Sequence, residues 1–215
     1  VEATEPRLRA AVADVNRQRD AVRRLLELRR DPANGISGVE ALAAVGAGRF
    51  LEPSAHRELL ERYLGEERPP LQPRPRLLVV AGVALTDLRL HRLLEDAGAL
   101  VVAEDDAWGS RFAGADVEGA ESGDALEAVF EKYFLDVPSP RVAPAAARDE
   151  WLRSELARGG FEAAIFYVPR SDTWFGWDYP RLKGYADSAG LPSILLRDLD
   201  AGAVAGLLRQ GTGAR

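Results

Sequence analysis

Residues 76–106 read RLLVVAGVALTDLRLHRLLEDAGALVVAEDD. Two short apolar runs, Leu77 to Ala81 and Leu100 to Ala103, enclose a stretch with helical spacing. Runs apolar at every position mark strands covered on both faces, and a helix between them is the usual return to a parallel neighbour. Asp87 is placed to cap that helix, which is expected to run through Glu95 and stop at Gly98, where glycine suits the left-handed position of a helix C-terminus. This one unit sets the fold class.

Downstream the same grammar returns. Ala164 to Val168 and Ser193 to Leu196 are further apolar runs, and a helix expected over Tyr179 to Ala189 is stopped by Gly190 before Pro192. Helices near Asp124 to Phe134 and Arg148 to Arg158 are expected between the second and third strands. Four parallel strands joined by right-handed crossovers give an open, Rossmann-like α/β domain with helices on both faces. Upstream, residues 6–30 carry Leu8, Val12, Val15, Val22, Leu25 and Leu26 at three- and four-residue spacing, with Pro6 suited to a first helical position. That is a long amphipathic helix, whose Arg17, Arg19, Asp20, Arg23, Arg24 and Glu27 are expected to form a solvated face. Ser37 and Glu40 have the spacing of a capping box for a short helix to about Val45, and a third helix is expected from Pro53 to Leu64. GEERPPLQPRP at 65–75 holds four prolines and reads as an extended connector. The expected division is a helical arm at 1–64, the connector at 65–75 and the α/β domain at 76–215.

Composition narrows the chemistry. The 215 residues are 47% hydrophobic and 29% charged, enough for one core with a helical appendage. No apolar run reaches the roughly 18 residues that span a bilayer, and the start of the chain lacks a signal peptide's apolar core, so a cytoplasmic protein is expected. With 28 basic against 34 acidic residues the net charge is −6, which gives no general attraction for nucleic acid or anionic membrane. There is no cysteine, which excludes disulfides, thiolate nucleophiles and thiolate-held metal centres on this chain. The two histidines, His56 and His91, lie far apart in helical patterns and are expected on helix surfaces, so a Ser-His-Asp relay is not expected. A chain without methionine, beginning at Val1, is expected to be a trimmed or partial product.

In open parallel sheets ligands bind beyond the carboxyl ends of the strands, so the loops there are where a site is sought. Gly82 to Thr86 lacks the glycine pattern of a dinucleotide site, and Gly82 serves either a tight turn or close approach to a ligand. Glu104, Asp105 and Asp106 close the second strand, followed by Trp108, Ser110 and Arg111. Adjacent carboxylates raise one another's pKa and so suit general acid–base work or a divalent cation; alternatively they cap the next turn and pair with Arg111. Pro169 to Asp178 carries Trp174, Phe175 and Trp177, with Tyr179 just beyond, either to line a pocket or interface or to plug the core. Arg170 is placed to bind an anionic group, and Ser171 and Asp172 sit where the strand ends, though Ser171 has no histidine to activate it.

The order of several pieces resembles the 2-hydroxyacyl-CoA dehydratase and benzoyl-CoA reductase subunit family, also called the 2-hydroxyglutaryl-CoA dehydratase D-component family. The pieces are VNRQRDAVRRLLELR from Val15, ISGVEAL from Ile36, RPRLLVVAG from Arg74 and LLEDAGALVVAEDDAWGSR from Leu93; YFLDVPSPR, DYPRLK and GLPSILLRDLD follow. The resemblance implies a two-domain subunit of which this chain covers the helical middle and the C-terminal Rossmann-like domain. It also implies a heterodimer in which cysteines hold a 4Fe-4S cluster near an acyl-CoA thioester, an ATP-driven activator supplies one electron, and a ketyl radical loses the hydroxyl. Where such subunits show cysteine, this chain has Ala107, Ser139 and Ser171, the last in the position of a cluster ligand. The ending LLRQGTGAR also departs from the family pattern.

The leading expectation is a cluster-free subunit that binds no cofactor itself, pairs with a related chain that carries any 4Fe-4S cluster, and helps to enclose an acyl-CoA through Arg111, Arg170, Ser171, Trp174 and Trp177. The alternative is an iron-independent enzyme on an acyl-CoA or other carboxylated substrate, with Asp105, Asp106 or Asp172 as candidate catalytic residues. A third reading is a non-catalytic interaction module in which the long helix docks onto another protein.

Overall fold

The computed structural model describes residues 3–135 and 145–212. Its centre is a four-stranded, all-parallel sheet in the order β2-β1-β3-β4, built from β1 (Arg76–Ala81), β2 (Leu100–Asp105), β3 (Ala163–Tyr167) and β4 (Ser193–Leu196). The expected fold class is the one observed. Period-two alternation sorts the strand side chains between two layers. Leu77, Val79, Ala81, Val101 and Ile165 face the layer of α4 (Arg89–Asp96) and α9 (Ala201–Thr212). Leu78, Val80, Ala164 and Phe166 face that of α7 (Ala145–Arg158) and α8 (Phe175–Ser188). The β1–β2 register slips between Leu77 and Leu78.

α1 (Glu5–Leu28) leads to α2 (Gly38–Ala47), started by the expected capping box of Ser37 and Glu40, and to α3 (Pro53–Gly65). Ala21, Val22, Leu25, Val45 and Leu60 close a small core among these three helices. α2 also reaches the sheet, since Leu42 packs in the same cluster as Val79 and Val101. Past Gly65, where α3 ends, the proline-rich stretch carries no helix or strand, and its Leu71 N–H donates to the Pro32 carbonyl at 2.9 Å. α4 is followed by Gly98 and α8 by Gly190, both with the positive φ that glycine tolerates best.

Several expectations change. His56 and His91 are fully buried instead of lying on helix surfaces. Gln18 Nε2 donates to His56 Nδ1 at 2.9 Å and the opposite ring nitrogen donates to the Ala44 carbonyl at 2.8 Å. Nor is the polar face of α1 all solvated. It seats the first part of the long excursion between β2 and β3, which includes α5 (Ser110–Ala113), α6 (Ala125–Phe130) and a π-helical turn (Glu131–Leu135) ahead of α7. Arg23 Nη1 donates to Asp116 at 2.8 Å and to the Gly114 carbonyl at 3.0 Å, while Arg19, buried, donates to the Tyr133 hydroxyl at 2.6 Å. α8 begins at Phe175, ahead of the expected Tyr179, so half of the aromatic loop is its first turn and Pro180 lies inside the helix.

Candidate functional site

The chain leaves β1 toward β2 on one side and later returns to β3 on the other, so the topological switch point lies between the carboxyl ends of β1 and β3. A crevice of about 170 Å³ opens beside it, lined by Val83, Thr86, Asp87 and Arg89 after β1, Tyr167 at the end of β3 and Leu199 beyond β4. Burial raises the Tyr167 hydroxyl above its ordinary pKa; the charge of Arg89 opposes this, and Asp87 and Asp198 reinforce it. Tyr167 is a residue that sequence reading missed. The available signal was its place as the one hydroxyl-bearing residue at the end of the apolar run AAIFY.

Gly82 opens the β1 loop. A Cβ there would collide with the Phe175 side chain, and its φ is not positive, so the glycine at this bend makes room for a ring of this same chain. Phe175 is buried, and Tyr179 packs edge-on against Phe166, so these two aromatics plug the core. Trp174 and Trp177 point the other way and stand 70% and 87% exposed on the rim. The aromatic cluster thus divides between the two roles weighed for it.

The carboxylates at the end of β2 and just after it are all engaged. Glu104 is fully buried and accepts from Arg29 Nη1 at 2.7 Å and His91 Nε2 at 2.9 Å. Burial alone would raise its pKa, but the Arg29 charge and the His91 hydrogen bond hold it at about 2. Asp105 is paired with Arg111. Asp106, completely buried, staples two loops: Oδ1 accepts from Leu85 N–H at 2.7 Å, and Oδ2 from Trp108 N–H at 3.1 Å and Gly109 N–H at 2.6 Å. Burial raises its pKa, with the Glu104 charge adding to the rise and the three N–H groups opposing it. Among the described residues no group of three or more His, Asp or Glu side chains is placed to hold a metal ion.

After β3, Asp172 Oδ1 accepts from Trp174 N–H and Phe175 N–H, both at 2.8 Å, which starts α8. Arg170 donates to Asp198 at 2.8 Å, and Ser171 is exposed beside it. The expected site residues therefore fall into two groups. Asp105, Asp106 and Arg111 lie at and beyond the carboxyl end of the edge strand β2, and Arg170, Ser171, Asp172, Trp174 and Trp177 beyond β3, with β1 between them. Two strand spacings, roughly 10 Å, separate the groups.

The sequence model of 2-hydroxyglutaryl-CoA dehydratase, D-component, matches residues 1–201. The chain belongs to that family. No curated protein matches it. The resemblance sets Ala107, Ser139 and Ser171 where such subunits show cysteine, with Ser171 in the position of a cluster ligand. Ala107 and Ser171 are exposed, and Ser139 lies outside the described residues. A methyl group offers iron no donor and a neutral serine hydroxyl only a poor one, so the residues of this D-component relative do not fit a 4Fe-4S cluster.

Proposed function

We propose that this chain is a cluster-free component of a 2-hydroxyacyl-CoA dehydratase-type assembly in the cytoplasm, pairing with a related subunit and helping to enclose an acyl-CoA whose chemistry belongs to the partner. The observation that carries the reading is the pair Trp174 and Trp177, projecting from the strand-end rim while Phe175 between them anchors the turn. Exposed tryptophans on a rigid helix start are the residues that form interface centres, because each buries a large area with few rotors. Membership in a family of dehydratase components supports a partner subunit, and no described helix is long and apolar enough to cross a membrane.

The same geometry disfavours the iron-independent enzyme. Both oxygens of Asp106 are spent on backbone N–H groups, Asp105 is held by Arg111, and Asp172 caps α8. A proton-transfer group needs reach to a substrate atom, and these carboxylates are committed to the loops that carry them. The interaction-module reading relied on a free face of α1, and that face is partly covered from within.

Native mass spectrometry of the protein purified anaerobically from its source, with iron and sulfide analysis, tests the proposal. The expected result is a complex with a second, iron-bearing chain. A lone species that joins no cluster-bearing relative from its own extract overturns it.

A further inference from the structure

We propose that the outer face of α6, with the π-helical turn that continues it, is a docking surface for a basic amphipathic helix of another protein. The surface is carried by α1, and the proposal does not rest on the reading above. One side of the segment is turned inward. Ala125 and Ala128 are buried with Val12 of α1, Val117 and Ala120, and Val129 packs against them, a small core separate from those of the sheet. Arg19 holds the far end, donating to the Tyr133 hydroxyl at 2.6 Å with its guanidinium 5.3 Å from the centre of that ring. A segment anchored at both ends presents its opposite side in one arrangement, which lowers the ordering cost of binding.

That opposite side is apolar. Leu126, Phe130 and Phe134 follow one another at four-residue spacing and stand 61%, 49% and 70% exposed. The two phenylalanine rings stack on each other, with centroids 4.9 Å apart and planes 18° from parallel. Single exposed apolar residues are ordinary on a protein surface, whereas a contiguous row of large ones marks a place where another surface is received.

The charges alongside name the occupant. Glu127 and Glu131 each follow a member of the apolar row by one residue, so they form a second row beside it. Both are exposed, and neither carboxylate has an ion-pair partner among the described residues. The loop leading into α6 adds Glu118 and Glu121, exposed and unpaired in the same way. The bases of the neighbourhood are spent: Lys132 is half-buried and has a partner, Arg9 donates to Glu5 and to the Gly123 carbonyl, and Arg19 is buried beside Tyr133. An apolar row bordered by unpaired carboxylates complements a helix whose apolar face is bordered by Lys or Arg, the flanking pattern that sets partner choice between paired helices. The same border disfavours other occupants. A second copy laid face to face would oppose these carboxylates to their own kind, and anionic lipid would be repelled.

The test is fluorescence anisotropy of a labelled synthetic helix of about 18 residues, long enough to be helical on a surface, with Leu on one face and Lys on the other, titrated with the full chain. A second peptide carries Glu in place of Lys. The expected result is saturable binding of the Lys helix and none of the Glu helix. Affinity should fall about tenfold or more both in the double variant Phe130→Ser, Phe134→Ser and in the double variant Glu127→Lys, Glu131→Lys, and the second of these should gain binding of the Glu helix. No binding of the Lys helix overturns the proposal, as does equal binding by wild type and both variants, which would be attraction to the net charge of the chain. Sedimentation of the chain alone and with anionic vesicles completes the test: a dimer, or vesicle binding, that the Phe130→Ser, Phe134→Ser variant abolishes gives the face to a second copy or to lipid and overturns it too. Should the phenylalanine variant melt early, the charge-reversal variant decides, since it alters only exposed side chains.

Discussion

Glu104 is the residue on which the interior of this molecule turns. It joins α1, α4 and β2 by accepting from Arg29 and His91 where neither partner reaches water. Breaking a buried pair from one side strands the other charge, so Glu104→Gln is expected to cost about 3–5 kcal/mol in urea unfolding. The effect has a pH signature. The folded carboxyl sits at about 2 against an ordinary 4.5, so its stabilisation is fully present above the unfolded value and is lost as pH falls from roughly 4.5 toward 2. The difference between wild type and Glu104→Gln should hence stay flat above pH 5 and narrow below it. A difference that does not change with pH would show that Glu104 is not held ionised. His56 acts in the same direction over a higher range. Burial lowers its pKa, its bond to Ala44 opposes this, and the folded chain keeps it neutral, which penalises folding as pH drops below about 6.5.

Between elements, the informative contacts are those that forbid a side chain. Gly82 at the end of β1 lies against Phe175 at the start of α8, so one methyl added there must displace a buried ring. Gly82→Ala is expected to destabilise by about 1–3 kcal/mol, as overpacking does. The cost should shrink sharply in a Phe175→Ala background, and equal costs in both backgrounds, read by urea unfolding, would rule out the contact. The contact also shows what sequence can and cannot reveal. The strands were legible because each contains an uninterrupted run of apolar residues, and the capping box of α2 because its two partners are three residues apart. The start of α8 was not, because Trp174 to Trp177 carries no periodic pattern and Pro180 reads as a breaker. Asp172 starts the helix by taking two N–H groups, and Pro180 follows where one missing N–H is tolerated. Likewise the places of His56, His91 and Arg29 depend on Gln18, Ala44 and Glu104, which are distant in sequence and adjacent only after folding. The aromatic cluster was legible as a cluster, but its division into Phe175 inside and Trp174 and Trp177 outside was set by which side of one helical turn meets the sheet.

Across the whole molecule, the carboxyl ends of the strands form a rim held by internal bonds, with Asp106 stapling the first two loops and Asp172 fixing the third. A rim so tied presents its exposed groups in one arrangement, which lowers the ordering cost of binding another surface. Trp174 and Trp177 are the largest apolar groups it presents, at the start of the helix that covers the face of the sheet opposite the crevice below Tyr167. If this rim meets the partner subunit, their removal affects association and leaves folding alone, because neither ring is in the core. The double variant Trp174→Ala, Trp177→Ala is expected to melt within about 2–4 °C of wild type, a shift of about 1 kcal/mol for a chain of this size. Its affinity for the partner should fall by at least thirtyfold, roughly the 2 kcal/mol that marks an interface centre. Analytical ultracentrifugation of the variant with the purified partner separates the two cases: a complex as strong as wild type would move the interface away from the strand ends, and an early melt would return the tryptophans to the fold.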